Sequence, residues 1–301
     1  MAEFIFDFIS ASDGRRLRTG VFHPEMRARA VCVLLTGQTE FIEKYFEVIA
    51  ELNGRGYIVA TFDWRGQGGS GRALSNPLKA HVGDFAEYDT DLVSFMDQVA
   101  SKLSPIPPLM LAHSLGSHLG LRALHDHPSL FRAAVLVAPM LGIATRGYPQ
   151  WLTRAVTAWQ TSLGKTRRFA WGMAERDPFR VDFTTQLCTS DAQRFRRTQA
   201  VLRAHPQIRL AGPTWGWVEA AYRSMKETAA PGYAEAIKTP ILIAGAGKDR
   251  IVLTEATRRF AARLPRARYV EFEDSEHEIL MEKDAIRARF WAEFDGFVAG
   301  L

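Results

Sequence analysis

The chain has 301 residues, 47% of them apolar and 24% charged, with a formal net charge of +5. That length holds one large α/β domain with an insertion or two small domains, and the apolar share is enough for a sizeable core. Cys32 and Cys188 lie far apart without metal spacing, and no apolar run approaches the roughly 20 residues of a membrane helix, so a disulfide scaffold and a helical membrane protein are excluded.

The opening Met-Ala-Glu-Phe-Ile-Phe-Asp-Phe carries acid early and has no basic n-region. It therefore predicts no signal peptide and a cytoplasmic protein. Residues 4–10 alternate as a strand, Asp13-Gly14 is a turn, and residues 17–22 return, which predicts an antiparallel hairpin at a sheet edge. Residues 30–35 (Ala-Val-Cys-Val-Leu-Leu) form a continuous apolar strand, as expected for one covered on both faces. The strand runs into Thr36-Gly37-Gln38-Thr39-Glu40. A helical stripe follows in Phe41, Ile42, Tyr45, Phe46, Ile49 and Leu52, stopped by Gly54 and Gly56.

Residues 57–62 are the next strand and feed Asp63-Trp64-Arg65-Gly66-Gln67-Gly68-Gly69-Ser70-Gly71-Arg72. This stretch lacks the Gly-Lys-Ser/Thr ending of a P-loop, and no Gly-x-Gly-x-x-Gly opens a helix here. A tight turn at the carboxyl edge of the sheet is expected, not a nucleotide cradle. A helix is predicted from Phe85 to about residue 100, then a proline cluster at Pro105, Pro107 and Pro108.

Residues 109–120 (Leu-Met-Leu-Ala-His-Ser-Leu-Gly-Ser-His-Leu-Gly) are the most informative stretch. An apolar strand meets a helix at Ser114, with Ala112 two residues before it and Gly116 two after. That spacing of small residues suits a nucleophile elbow, where strand and helix nearly touch and the serine hydroxyl stands clear of the sheet. An ordinary strand-to-helix turn is the structural alternative. Further strands are predicted at 133–141, 240–245 and 268–272, and helices near 254–264 and 284–298. The alternation predicts an α/β fold: a mostly parallel central sheet with helices on both faces.

Residues 142–238 break the alternation. They are helical in pattern, rich in Trp, hold no predicted strand, and carry 15 Lys and Arg against 7 Asp and Glu. We expect a helical cap inserted over the carboxyl edge of a core made of residues 1–141 and 239–301. Trp151, Trp159, Trp171, Trp215 and Trp217 fit either an acyl pocket or the cap's own core; Trp215 and Trp217 are taken as candidate substrate-binding residues. The basic excess fits solvated helix faces, or attraction to anionic head groups and peripheral membrane contact. No nucleic-acid module is recognisable.

A serine hydroxyl becomes a nucleophile when a base takes its proton, and the base needs an orienting carboxylate. Asp249 follows one predicted strand in Gly247-Lys-Asp-Arg-Ile-Val, and His277 follows the last in Ser275-Glu-His-Glu-Ile-Leu. Ser114, Asp249 and His277 each stand just past the carboxyl end of a separate strand, where ligands bind in open α/β sheets. Taken singly, Asp249 suits a turn and His277 a surface loop. Asp274 competes as the acid but lies only three residues from His277. The backbone N–H groups of Leu115 and Gln38 are the candidate oxyanion donors.

Thr36-Gly-Gln-Thr-Glu, Phe62-Asp-Trp-Arg-Gly-Gln-Gly-Gly-Ser, Ala112-His-Ser-Leu-Gly, and the Asp249 and His277 motifs together resemble the bacterial lysophospholipase and monoacylglycerol lipase family of α/β-hydrolases. Gly212-Pro-Thr-Trp-Gly-Trp resembles the lysophospholipase branch. The resemblance implies a metal-free, cofactor-free serine ester hydrolase for single-chain lipids, with Ser114 as nucleophile, Asp249 and His277 as partners, and Gln38 and Leu115 as oxyanion donors. Two positions depart: Thr36 stands where the family commonly has His, and Ala112 where it has Gly. Other functions open to the same residues are an esterase or perhydrolase for small non-lipid esters, and a non-enzymatic binder of small ligands. Acyl-chain preference separates the first pair; labelling by a fluorophosphonate separates the last.

Overall fold

A computed structural model describes residues 6–145, 147–171 and 181–301. Phe4, at the start of the predicted first strand, and Arg146 and residues 172–180 of the predicted insertion lie outside the described residues.

The chain opens with a hairpin of β1 (Asp7–Ser10) and β2 (Arg16–Phe22). It continues through β3 (Ala30–Leu35), α1 (Phe46–Gly54), β4 (Tyr57–Phe62), a two-residue β5 (Lys79–Ala80) and α2 (Ala86–Gln98). Then come β6 (Leu109–His113), α3 (Leu115–Asp126) and β7 (Ala133–Val137). A helical stretch follows with α4 (Gln150–Ser162), α5 (Ala192–Ala204), the short β8 (Gly212–Pro213), α6 (Trp215–Thr228) and α7 (Tyr233–Ala236). The alternation resumes with β9 (Ile241–Ala246), α8 (Thr254–Ala261), β10 (Ala267–Phe272) and α9 (Asp284–Ala299).

Eight strands form one sheet in the order β1-β2-β4-β3-β6-β7-β9-β10. β1 pairs antiparallel with β2, and β2 antiparallel with β4; every later pairing is parallel. The alternation of the central strands divides their side chains between two cores. Val31, Val33, Met110, Ala112, Ala134, Leu136, Ile241 and Ile243 face one side, with α2, α3, α6 and α8. Cys32, Leu34, Leu109, Leu111, Val135, Val137, Leu242 and Ala244 face the other, with α1 and α9. Each large aliphatic side chain so buried contributes about 1.5–3 kcal/mol. This explains why β3, β6 and β9 read as unbroken apolar runs: neither face meets water.

The structure shortens some predicted elements. The strand expected over 133–141 ends at Val137, because Ala138 has φ 43° and Pro139 has no N–H to donate. The helix expected from Phe41 starts as a 3₁₀ turn, Ile42–Tyr45, before α1. The stretch predicted as a helical insertion does contain a strand: β8 pairs in parallel with β5. Two residues are too few to leave a period in the sequence. No helix among the described residues is long and apolar enough to cross a membrane.

The junction of β6 and α3 is tightly packed. A Cβ added to Gly116 would lie 2.5 Å from the Leu35 carbonyl oxygen and 2.6 Å from that of Thr36, so α3 sits directly on the end of β3. Backbone atoms cannot step aside as a flexible side chain can. Gly116→Ala is expected to destabilise the protein by about 1–3 kcal/mol in urea unfolding. Gly296→Ala, inside α9 with nothing near its added Cβ, is the control and is expected to stabilise by about 0.5–1 kcal/mol.

Candidate active site

Ser114 stands between β6 and α3 with φ 51° and ψ −112°, a left-handed conformation that L-residues rarely adopt. Such strain costs about 1–3 kcal/mol and persists where surrounding bonds over-determine it. Here the Ser114 N–H donates to the Val137 carbonyl at 2.9 Å, and its own carbonyl accepts from the N–H of His118 at 3.1 Å and of Met140 at 3.2 Å. The hydroxyl of Ser117 on α3 reaches back to the Ala112 carbonyl at 2.7 Å. Strand, bend and helix are thereby stitched together.

The loops after β9 and β10 bring two more predicted residues to this bend. His277 Nε2 lies 2.9 Å from Ser114 Oγ. His277 Nδ1 lies 2.6 Å from Asp249 Oδ2. Asp249 Oδ1 accepts from the N–H groups of Ile251 at 2.8 Å and Val252 at 2.9 Å. Its three contacts fix its orientation, and its side chain is fully buried. Burial pushes the Asp249 carboxyl up; the charge and hydrogen bond of His277 and the two backbone donors outweigh it, so the carboxyl titrates below its ordinary range. The competing acid, Asp274, is exposed and pairs with Lys248 at 2.8 Å. Separation along the chain, 28 residues for Asp249 and 163 for Ser114, is closed by the parallel sheet.

The two predicted oxyanion donors come from different elements. Leu115 is the first residue of α3, whose N-terminal amides carry partial positive charge. Gln38 lies in the loop after β3. Its neighbours are tied: the Gly37 N–H donates to the Glu40 carboxylate and the Thr39 N–H to the Gln67 side chain. Both side-chain amide atoms of Gln38 are buried without a partner among the described residues, as is the hydroxyl of Thr36. The Thr36 carbonyl accepts from Trp64 Nε1 at 2.9 Å, which anchors the loop from beneath.

A cleft of about 990 Å³ is lined by residues close in sequence to this centre, while Ser114, Asp249, His277, Gln38 and Leu115 are not themselves among its lining residues. Thr39, Ile251 and Glu278, chain neighbours of the oxyanion loop, of Asp249 and of His277, are on its wall, with Phe41, Leu202 and Met281 supplying apolar surface. Trp215 and Trp217 are not among its lining residues. Trp217 is buried against Phe85, and its indole N–H donates to Tyr88 Oη at 3.0 Å. Trp215 packs edge-on to Trp171. Both sit on the inward side of α6, where a helical stripe of aromatics gives no sign of whether it meets core or cavity. Glu40 and His113 also reach the centre; in the sequence they are only neighbours of functional residues.

Comparison with known proteins concerns the chain as a whole. The family Hydrolase_4, described as serine aminopeptidase S33, matches residues 26–284. The chain is 32% identical over 269 residues to lysophospholipase L2 of Escherichia coli, covering 86% of this chain and 77% of that protein. It is 29% identical over 267 residues to a probable lysophospholipase L2 of Haemophilus influenzae, covering 89% and 83%. In structure it resembles a soluble variant of monoglyceride lipase from Saccharomyces cerevisiae, solved with a substrate analog, at TM-score 0.77 and 18% identity over 98% of this chain and 94% of that one. That likeness establishes the α/β-hydrolase fold.

Because Asp249 ionises more readily folded than unfolded, its contribution to stability is complete above the ordinary carboxylate value of 3.8 and fades as pH falls below it. Between pH 7 and pH 3, Asp249→Asn is expected to show a smaller fall in melting temperature than the wild type. Equal falls in the two proteins would contradict the low titration of this carboxyl.

Proposed function

We infer the activity from the premise that the chain belongs to the Hydrolase_4 family, described as serine aminopeptidase S33, and to its lysophospholipase and monoacylglycerol-lipase-like α/β-hydrolases. It is a serine carboxylic-ester hydrolase acting on single-chain lipids. The observation that carries this is the extended similarity to lysophospholipase L2, joined to a serine within 2.9 Å of an imidazole nitrogen. The family's description names a peptidase, but both extended relatives are named as lysophospholipases, and the ester reading follows them.

In the mechanism we propose, Ser114 Oγ attacks the ester carbonyl carbon while its proton passes to His277 Nε2. Asp249 holds the imidazole through Nδ1–H and stabilises the imidazolium that forms. The carbonyl oxygen gains negative charge between the N–H groups of Gln38 and Leu115. Collapse expels the alcohol portion, which takes the proton from His277, and leaves an acyl-enzyme. Water then gives its proton to His277 and its oxygen to the acyl carbon, releasing the fatty acid and restoring Ser114. Every step uses only this chain's groups and water.

Residues 142–238 act in this scheme as a cap that shapes the acyl cleft; Val181, Leu187, Phe195 and Leu210 on the cleft wall support that role. We further propose that the cap meets an anionic lipid surface as a peripheral, not spanning, contact. Trp151 and Trp159, eight residues apart on α4, are 69% and 56% exposed. Leu163 and Tyr148 continue the exposed apolar surface, and Lys165 lies over the Trp159 ring at 5.7 Å. Aromatic side chains beside basic ones suit the boundary between head groups and acyl chains.

Ser114→Ala is expected to keep its fold and to lose turnover of lysophospholipids, monoacylglycerols and p-nitrophenyl esters by about 10⁴-fold or more. Medium and long acyl chains should be preferred over acetyl in the wild type; strict preference for acetyl would favour the small-ester alternative. Trp151→Ala/Trp159→Ala is expected to weaken sedimentation with phosphatidylglycerol vesicles about tenfold or more, with hydrolysis of soluble p-nitrophenyl butyrate unchanged. Equal sedimentation of both proteins would refute the α4 surface.

A further inference from the structure

Beneath the oxyanion loop lies a group of buried charges that the mechanism above does not use. Glu40 is 5% exposed at its side chain and His113 2%. The Glu40 carboxylate accepts from the Gly37 N–H, from Tyr45 Oη at 2.6 Å and from Lys44 Nζ at 2.8 Å. His113 Nδ1 faces the same carboxylate at 3.2 Å, while its Nε2 faces the backbone carbonyl of His277 at 3.3 Å. Lys44 also pairs with Glu278 at 2.6 Å, and the Glu278 N–H donates to the Cys188 carbonyl at 2.7 Å.

Two facts about this cluster limit the state of His113. First, both ring nitrogens look at acceptors: a carboxylate and a carbonyl. A neutral imidazole has one N–H, so one nitrogen would present a lone pair to an oxygen. Second, the buried charges are Glu40, Glu278 and Lys44, which leave one negative charge unbalanced unless His113 is protonated. Unpaired buried charge is costly.

Resting on the proposed ester hydrolysis, we propose that Glu40 and His113 are a positioning pair: an imidazolium at His113 donates from both nitrogens and clamps the loop carrying Gln38 to the loop carrying His277. Glu40 holds Gly37, next to the oxyanion donor. His113 is next to Ser114 in sequence and grips the main chain of the base itself. One pair thus sets the distance between three parts of the centre that come from β3, β6 and the segment after β10. The surrounding groups bear on its charge in both directions. Burial pushes the His113 imidazole down, but the Glu40 carboxylate, by charge and hydrogen bond, and Glu278 push it further up, against Lys44, so it titrates above its ordinary value. Burial likewise pushes Glu40 up, and Lys44 and His113 bring it well below the usual carboxylate range. Tyr45 donates to Glu40 as a neutral phenol, and the Cys188 thiol, pushed up by burial and by Glu278, adds no charge. The ring of His277 is 4.8 Å from that of His113, and His277 is in turn bonded to Asp249.

The sign of the pH effect follows. A group that titrates higher when folded stabilises the fold fully below its ordinary value of 6.5 and loses that contribution as pH rises through its folded value. Loss of the proton releases the clamp, so kcat should fall on the alkaline side.

The test combines a spectrum with kinetics. In wild-type protein with ¹⁵N-labelled histidine at pH 7.5, the His113 signals, assigned by their loss in His113→Gln, are expected to show two protonated nitrogens. A neutral tautomer would overturn the proposal, and this reading needs neither activity nor a folded Glu40 variant. Glu40→Gln, checked by circular dichroism, is expected to lower kcat on p-nitrophenyl butyrate about a hundredfold, with KM within threefold, and to move the alkaline limb to lower pH. Glu40→Asp keeps the charge and is expected to restore the limb. An unchanged kcat and pH profile in Glu40→Gln would also overturn it. Loss of activity in Ser114→Ala bears on the hydrolase reading alone, so the two can fail separately.

Discussion

The close contact between α3 and the end of β3 governs the geometry of this centre. Gly116 brings the helix against the carbonyl oxygens of Leu35 and Thr36. A single residue, Ser114, joins β6 to α3, and it takes φ 51°. Three backbone hydrogen bonds and the Ser117 hydroxyl offset the strain. The same approach sets the N–H of Leu115 beside the loop that carries Gln38. A close packing distance between backbone segments thus accompanies the bend that holds the Ser114 hydroxyl within reach of His277.

The sheet does the rest by direction. Its parallel strands all end at one edge, so β3, β6, β9 and β10 deliver Gln38, Ser114, Asp249 and His277 to one rim from four distant stretches of sequence. The charged cluster around Glu40 then joins these loops to each other and not only to their strands. Rigidity between loops matters because a bonding geometry must hold to within about half an ångström for efficient chemistry.

Some of this was legible in the residues alone. The apolar runs of β3, β6 and β9 and the small residues around Ser114 have local causes, so local patterns reveal them. Asp249 and His277 were visible because the fold's chain order restricts where partners can lie. Trp217 was not: its helical spacing is the same whether it faces Phe85 and Tyr88 or a ligand. Composition also could not separate Trp151 and Trp159, which stand in solvent, from Trp215 and Trp217, which do not. Ala138 looks like any strand alanine, yet its positive φ ends β7 early. Glu40 and His113 are 73 residues apart, and nothing in either stretch marks the contact.

The central claim is that the Ser114 hydroxyl is made nucleophilic by the imidazole of His277. The most direct measurement is the rate at which a fluorophosphonate probe labels the purified protein, with the modified residue located by peptide mass mapping. The account predicts fast labelling confined to Ser114 and labelling slowed by orders of magnitude in a folded His277→Ala protein. Labelling at another residue, or at the same rate without the imidazole, would contradict it.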